Sequence, residues 1–117
     1  MAWNIYSRHS GQNEFRLQFM QKPRMTRTNI KHLIDIPNVG KATAADLAMI
    51  GISHPGDLVG CDPYQMYEAL CEVTGKRHDP CMMDVFISAV RYMEGGPARK
   101  WWEFTPERKA RLNKHNQ

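Results

Sequence analysis

The sequence predicts an all-α fold, and three observations carry that reading. From Ile30 onward, apolar residues recur at intervals of three and four, the spacing of one helix face. Helix punctuation is dense: Asp62-Pro63, Asp79-Pro80 and Thr105-Pro106 read as starts, and Gly51, Gly60, Gly75 and Gly95-Gly96-Pro97 as stops. No segment alternates polar and apolar residues with the β-branched enrichment of a strand.

In chain order, Ile30, Leu33 and Ile34 predict a first helix capped by Thr28 or Asn29. It must end before Pro37, because proline disfavours helical geometry in the preceding residue. A second helix runs from about Gly40 to Met49 or Ile50 through Ala44, Ala45, Leu47 and Ala48, with Gly51 as its C-terminal cap. A single turn follows over Pro55 to Val59, with Ser53 as its cap and Gly60 as its stop. Asp62 caps the next helix, Pro63 takes its first position, and Gln65 is placed to reach back. Its apolar face is Met66, Ala69, Leu70 and Val73, and it stops at Gly75. Asp79-Pro80 opens a helix with Val85, Phe86, Ala89, Val90 and Met93 on the buried face. Trp101-Trp102-Glu103-Phe104 then folds back over a small core, and Thr105-Pro106 begins a short basic helix reaching about Asn113.

The 117 residues suit one domain with appended arms. The charges divide them. Residues 1–28 hold five basic residues against one acid, residues 29–94 five against nine, and residues 95–117 six against two. An acidic middle of −4 thus lies between two ends of +4 each. The implied organisation is a basic N-terminal arm at 1–28, a helical domain at 29–104 and a basic C-terminal tail at 105–117. Basic ends attract polyanions such as nucleic acid, although they also serve solubility alone. There is no apolar signal core or membrane-length apolar run, and the three cysteines form no CxxC pair. Those features lead to the expectation of a cytoplasmic protein without disulfides and without a membrane partner.

Chemistry concentrates at Pro37-Asn38-Val39-Gly40-Lys41-Ala42-Thr43. Two predicted helices are joined here by a turn of a few residues. Gly40 is expected to supply the backbone freedom, Asn38 to tolerate left-handed geometry, and Val39 to pin the turn to the core. The turn leads into a helix N-terminus, so the amides of Gly40, Lys41 and Ala42 would point outward unpaired. Free amides, the helix dipole and the Lys41 charge together make an anion site suited to a phosphate. Arg24, Arg27 and Lys31 precede the turn and extend the positive track.

This stretch resembles the helix-hairpin-helix motif of DNA-repair and recombination proteins, whose hairpin reads Pro-Gly-hydrophobic-Gly. Asn38 stands where that pattern has its first glycine. Asp46-Leu47, Ile50-Gly51-Ile52, Asp57-Leu58, Asp62-Pro63-Tyr64-Gln65-Met66-Tyr67, Leu70-Cys71, Asp79-Pro80-Cys81, Val85-Phe86 and Lys100-Trp101-Trp102 extend the likeness. Over about residues 30–104 the chain resembles the small bacterial "pathogenicity locus", or mitomycin-resistance-like, family. Its first half, to about Gly60, is also similar to the C-terminal domain of TfoX-type competence regulators. The resemblance implies a SAM-like helical bundle with one helix-hairpin-helix unit. A degenerate second pair, residues 62–74 and 80–94, would lack the second hairpin pattern and support the first.

Other readings are weaker. Cys61, Cys71 and Cys81 lie ten residues apart with His54 and His78 nearby, but structural zinc sites use tight pairs. No metal or other cofactor is expected. Cys81, near a helix start, is a candidate for a lowered thiol pKa. No HExxH, GxSxG or Walker-type loop is present, and Asp35, Asp46 and Asp57 each fit a cap, turn or surface role, so no enzyme is expected. The tryptophans could stack on bases, but covering a small core is the favoured role. The function expected is binding to the phosphate backbone of duplex DNA without sequence preference, in DNA repair or mitomycin resistance. The alternative is a non-catalytic protein-interaction adaptor. Gly40→Val or Lys41→Glu separates them, since adaptor binding should survive either change.

Overall fold

The computed structural model describes residues 29–115, and every regular element among them is helical. The arm at 1–28, with Arg24 and Arg27, lies outside the described residues. Four α-helices, α1 (Lys41–Met49), α2 (Pro63–Thr74), α3 (Cys81–Met93) and α4 (Thr105–His115), are interleaved with single 3₁₀ turns at Leu33–Asp35, Pro55–Leu58 and Trp101–Phe104.

α3 is the centre of the bundle. Met83 to Val90 are all buried, and α2, α4 and the turns at Pro55–Leu58 and Trp101–Phe104 pack against this helix. A helix enclosed on every side must be apolar nearly all round. Over Met83 to Val90, α3 meets that demand except at Asp84 and Ser88, both buried. Each of these two polar side chains is bonded to a distant part of the chain.

Asp62-Pro63 starts its helix as the sequence indicates, whereas at Asp79-Pro80 the start is shifted by one residue, with Pro80 as the N-cap, and Thr105 is the first residue of α4 rather than its cap. The Asp62 carboxylate accepts from the Tyr64 amide at 2.9 Å, with Pro63 as the first helical residue. Gln65 does not share in that cap and lies exposed. Asp79 accepts from the Cys81 amide at 2.8 Å and so opens α3. After α3, Gly95 turns left-handed at φ 101°, and a Cβ on Gly96 would lie 2.9 Å from the Arg91 carbonyl oxygen. Only glycine fits that close return.

Four further expectations need correction. The helix anticipated from Ile30 is one 3₁₀ turn, Leu33–Asp35, begun at His32 rather than Thr28 or Asn29. Pro37 forces Ile36 into extended geometry, at ψ 133°, and the few residues left before it are too short to nucleate an α-helix. A 3₁₀ turn repeats every three residues, so Leu33 and Ile36 share the buried face and Ile34 is left 54% exposed. Secondly, Ser53 does not cap the turn at Pro55–Leu58. His54 precedes it, and Asp57 accepts from the amides of both Ser53 and His54. Thirdly, the aromatic cluster covers the core only in part. Phe104 is buried, but Trp102 is 55% exposed. The cause is again the threefold period, which puts Trp101 and Phe104 on one face and Trp102 off it. Val73, assigned to the inner face of α2, is also exposed, while Tyr67 and Cys71 take inner places.

The segment set apart as a basic tail carries α4, and its Arg108 reaches the core. The Arg108 guanidinium donates from Nε to Asp84 Oδ1 at 2.9 Å and from Nη2 to Oδ2 at 3.4 Å. The Thr105 hydroxyl donates to Asp84 Oδ2 at 2.6 Å. Asp84 therefore ties α4 to the central helix. Its hydrogen bond holds the Arg108 guanidinium charged even further above neutrality than usual.

Candidate nucleic-acid interface

The hairpin is built from the inside outward. Leu33, Ile36 and Val39 are buried at three-residue intervals and anchor both its arms. The Val39 amide donates to the Ile36 carbonyl at 3.0 Å, closing the turn across Pro37 and Asn38. Asn38 is the residue in left-handed geometry, at φ 72°. Its side-chain amide donates to Ser88 Oγ on α3 and to the Arg99 carbonyl oxygen, both at 2.7 Å. A glycine here would supply the same φ without either bond. Asn38 thus sets the turn and fastens it to two other parts of the fold.

Gly40 has a different role from the one its residue type suggests. It stands at the N-cap of α1 with φ −101° and ψ −169°, ordinary extended backbone. A Cβ added there would meet nothing within 4 Å. Neither backbone geometry nor internal packing requires glycine at this position.

Beyond Gly40 the first helical hydrogen bond runs from the Ala44 amide to the Gly40 carbonyl at 2.9 Å. The amides of Lys41, Ala42 and Thr43 precede that bond, and Gly40 has no side chain to cap them. Among the described residues no acceptor is bonded to them or to the Gly40 amide. Lys41 and Ala42 are exposed, and Pro37 and Thr43 half-buried. The nine-residue helix directs its positive end at the same point. Such a cluster of amides and one ammonium can hold an anion, and it carries no acid–base pair. Lys31 is exposed ahead of the Leu33–Asp35 turn.

Sequence reasoning missed the neighbour of this hairpin. The Asn38–Arg99 bond brings residues sixty-one positions apart together, and with Arg99 come Lys100 and Trp102. Arg99 pairs with Glu103 at 3.0 Å and lies over the Phe104 ring at 4.7 Å, so its charge is partly spent inside the fold. Lys100 is exposed, with its ammonium 5.7 Å from the Trp102 ring centroid. The one available signal was Asn38 itself, a side chain with bonding capacity at a position where the turn needs only φ.

The cysteines do not gather. Among the described residues no group of three His, Cys, Asp or Glu side chains could hold a metal ion. Cys61 donates its thiol hydrogen to the Asp57 carbonyl oxygen, Cys71 is buried in α2, and His78 is bonded to Thr74. Cys81 departs from the expected lowered pKa. Its hydrogen bond to the Asp79 carboxylate, with some burial, pushes the thiol up instead. Asp79→Asn keeps a capping side chain and removes that charge. It is expected to raise the rate of Cys81 alkylation by iodoacetamide at pH 8 several-fold, read by peptide mass spectrometry. An unchanged rate would remove Asp79 as the cause.

Among the described residues no helix is long and apolar enough to cross a membrane. A family model described as "Pathogenicity locus" matches residues 26–110. The mitomycin resistance protein McrB of Streptomyces lavendulae is 42% identical over 88 residues, covering 75% of this chain and 84% of that protein. No solved structure matches the chain.

Proposed function

The chain belongs to the pathogenicity-locus family, and from that premise we propose that it binds DNA without sequence preference through the hairpin Pro37, Asn38, Val39, Gly40, Lys41, Ala42 and Thr43. The observation that carries the reading is the set of unpaired amides at residues 40–43 beside an exposed lysine, at a glycine the fold does not require. Amides and ammonium groups recognise phosphate and carry no base code, so affinity should not depend on sequence. Arg24, Arg27 and Lys31 extend the contact along the backbone as flanking cations. The hairpin serves as a helix-hairpin-helix unit whose first helix is shortened to one turn, within a SAM-like bundle. The setting we propose is DNA repair or mitomycin resistance, the second being the name its Streptomyces lavendulae relative carries.

The test is fluorescence anisotropy of a labelled duplex with the full chain over a salt series. The logarithm of the association constant is expected to fall linearly with the logarithm of salt concentration, by about 0.9 for each phosphate neutralised. A folded sample that binds neither duplex nor single strand at low salt would reduce the hairpin to a packing device. The function would then pass to the helical bundle as a protein-interaction adaptor.

A further inference from the structure

The exposed indole of Trp102 is unexplained by the fold. The turn Trp101–Phe104 already supplies Phe104 to the core, 4% exposed, and Trp101 is half-buried on the same face. Trp102 meets Trp101 edge to face, with ring centroids 5.5 Å apart and planes at 85°, and otherwise stands over half exposed. Its surroundings are cationic. Lys100 lies beside the ring, and Glu103, the acid of the same turn, is engaged by Arg99 and by the Lys100 amide at 3.1 Å.

Its placement relative to the hairpin follows from one bond. Asn38, two residues before Gly40, donates to the Arg99 carbonyl at 2.7 Å. Trp102 follows Arg99 by three residues, at most about 11 Å of chain. The Asn38–Arg99 bond fastens the stretch bearing Lys100 and Trp102 to the hairpin that carries the amide cluster.

We infer that Trp102 stacks on an unpaired nucleobase of a strand whose phosphate occupies the Gly40–Thr43 amides, so that the preferred ligand is nucleic acid with unpaired bases. The inference rests on the hairpin reading and adds the class of nucleic acid to it. A base in a continuous duplex keeps both faces covered by its neighbours and offers none to an indole. A single strand, gap or junction does offer one. A flat apolar ring with an ammonium beside it suits this ligand, because stacking is tolerant of base identity and the charge serves the next phosphate. A protein partner matching the same ring would need an acidic group to meet Lys100.

The experiment compares two labelled probes of equal length with the full chain at one salt concentration, a single-stranded oligothymidine and a blunt duplex. The wild type should bind the single strand more tightly. Trp102→Ala should weaken single-strand binding by roughly 5- to 150-fold, the usual worth of one base–aromatic stack. Trp102→Phe should retain most of the affinity. Duplex binding should change by less than about twofold in both variants. Since the ring is exposed, neither change should lower the melting temperature appreciably. Quenching of tryptophan fluorescence by the oligothymidine should be smaller in Trp102→Phe, in which Trp3 and Trp101 remain. If Trp102→Ala binds both probes as the wild type does, the stacking inference is overturned while the hairpin reading stands. If wild type binds neither probe, both readings fall.

Discussion

Arg108→Ala is expected to destabilise the protein by about 3–5 kcal/mol, the range for breaking a buried ion pair from one side. Asp84 lies at 0% exposure on the central helix, and three hydrogen bonds from α4 satisfy its oxygens. Without Arg108 only the Thr105 hydroxyl remains, and the carboxylate cannot move to water because the rest of the bundle packs around α3. The reverse change is milder. Arg108 sits at the edge with its side chain 11% exposed, so in Asp84→Ala the guanidinium can turn outward. The larger loss should therefore fall on Arg108→Ala, an asymmetry that a simple count of lost bonds does not give. The double variant Asp84→Leu with Arg108→Leu should recover much of the loss, because it removes the buried charge together with its partner. Denaturant unfolding followed by circular dichroism, arranged as a double-mutant cycle, measures all three. An Arg108→Ala protein within about 1 kcal/mol of wild type would show that the pair does not hold α4 in place.

That pair also marks where sequence reading ends. What was legible at short range depends on residues two to four positions apart: Asp62 on Tyr64, Asp79 on Cys81, the stops at Gly75 and Gly95-Gly96. Those interactions need no knowledge of the rest of the chain. The apolar period was legible too, but the period itself was ambiguous. Leu33, Ile36 and Val39 fit a spacing of three as well as one of 3.6, and Pro37 decided for the tighter turn. The same ambiguity put Trp102 with Phe104 in expectation and apart in fact. Asp84 and Arg108 are twenty-four positions apart, and Asn38 and Arg99 sixty-one. Nothing local distinguishes a buried aspartate on α3 from an exposed one, or a basic residue that enters the core from five others that make up a charged end. The hairpin was legible as a turn with outward amides. The division of labour within it, with Asn38 bearing the left-handed geometry and Gly40 bearing none, required backbone angles.

That division makes Gly40→Asp the decisive variant for function, because it is expected to move stability and binding in opposite directions. The N-cap position has extended backbone and open space around a new Cβ, so aspartate fits without strain. Its carboxylate can accept from the amides of Ala42 or Thr43, the standard N-cap bonds, and its charge faces the positive end of α1. Folding should gain a few tenths of a kcal/mol to about 1 kcal/mol. The same carboxylate occupies the amides that a phosphate needs and repels the phosphate besides. Nucleic-acid affinity at low salt should fall by at least about tenfold, equal to roughly 1.4 kcal/mol. Gly40→Asn caps the same amides without the charge and should fall between, while Lys41→Glu removes the ammonium and leaves the amides open. A loss of binding in a destabilised variant says little, since misfolding explains it. A loss in a protein that melts at a higher temperature cannot be explained that way. If Gly40→Asp raises the melting temperature and leaves anisotropy titrations unchanged, the amides at residues 40–43 are not the contact, and the binding surface has to be sought elsewhere on the bundle.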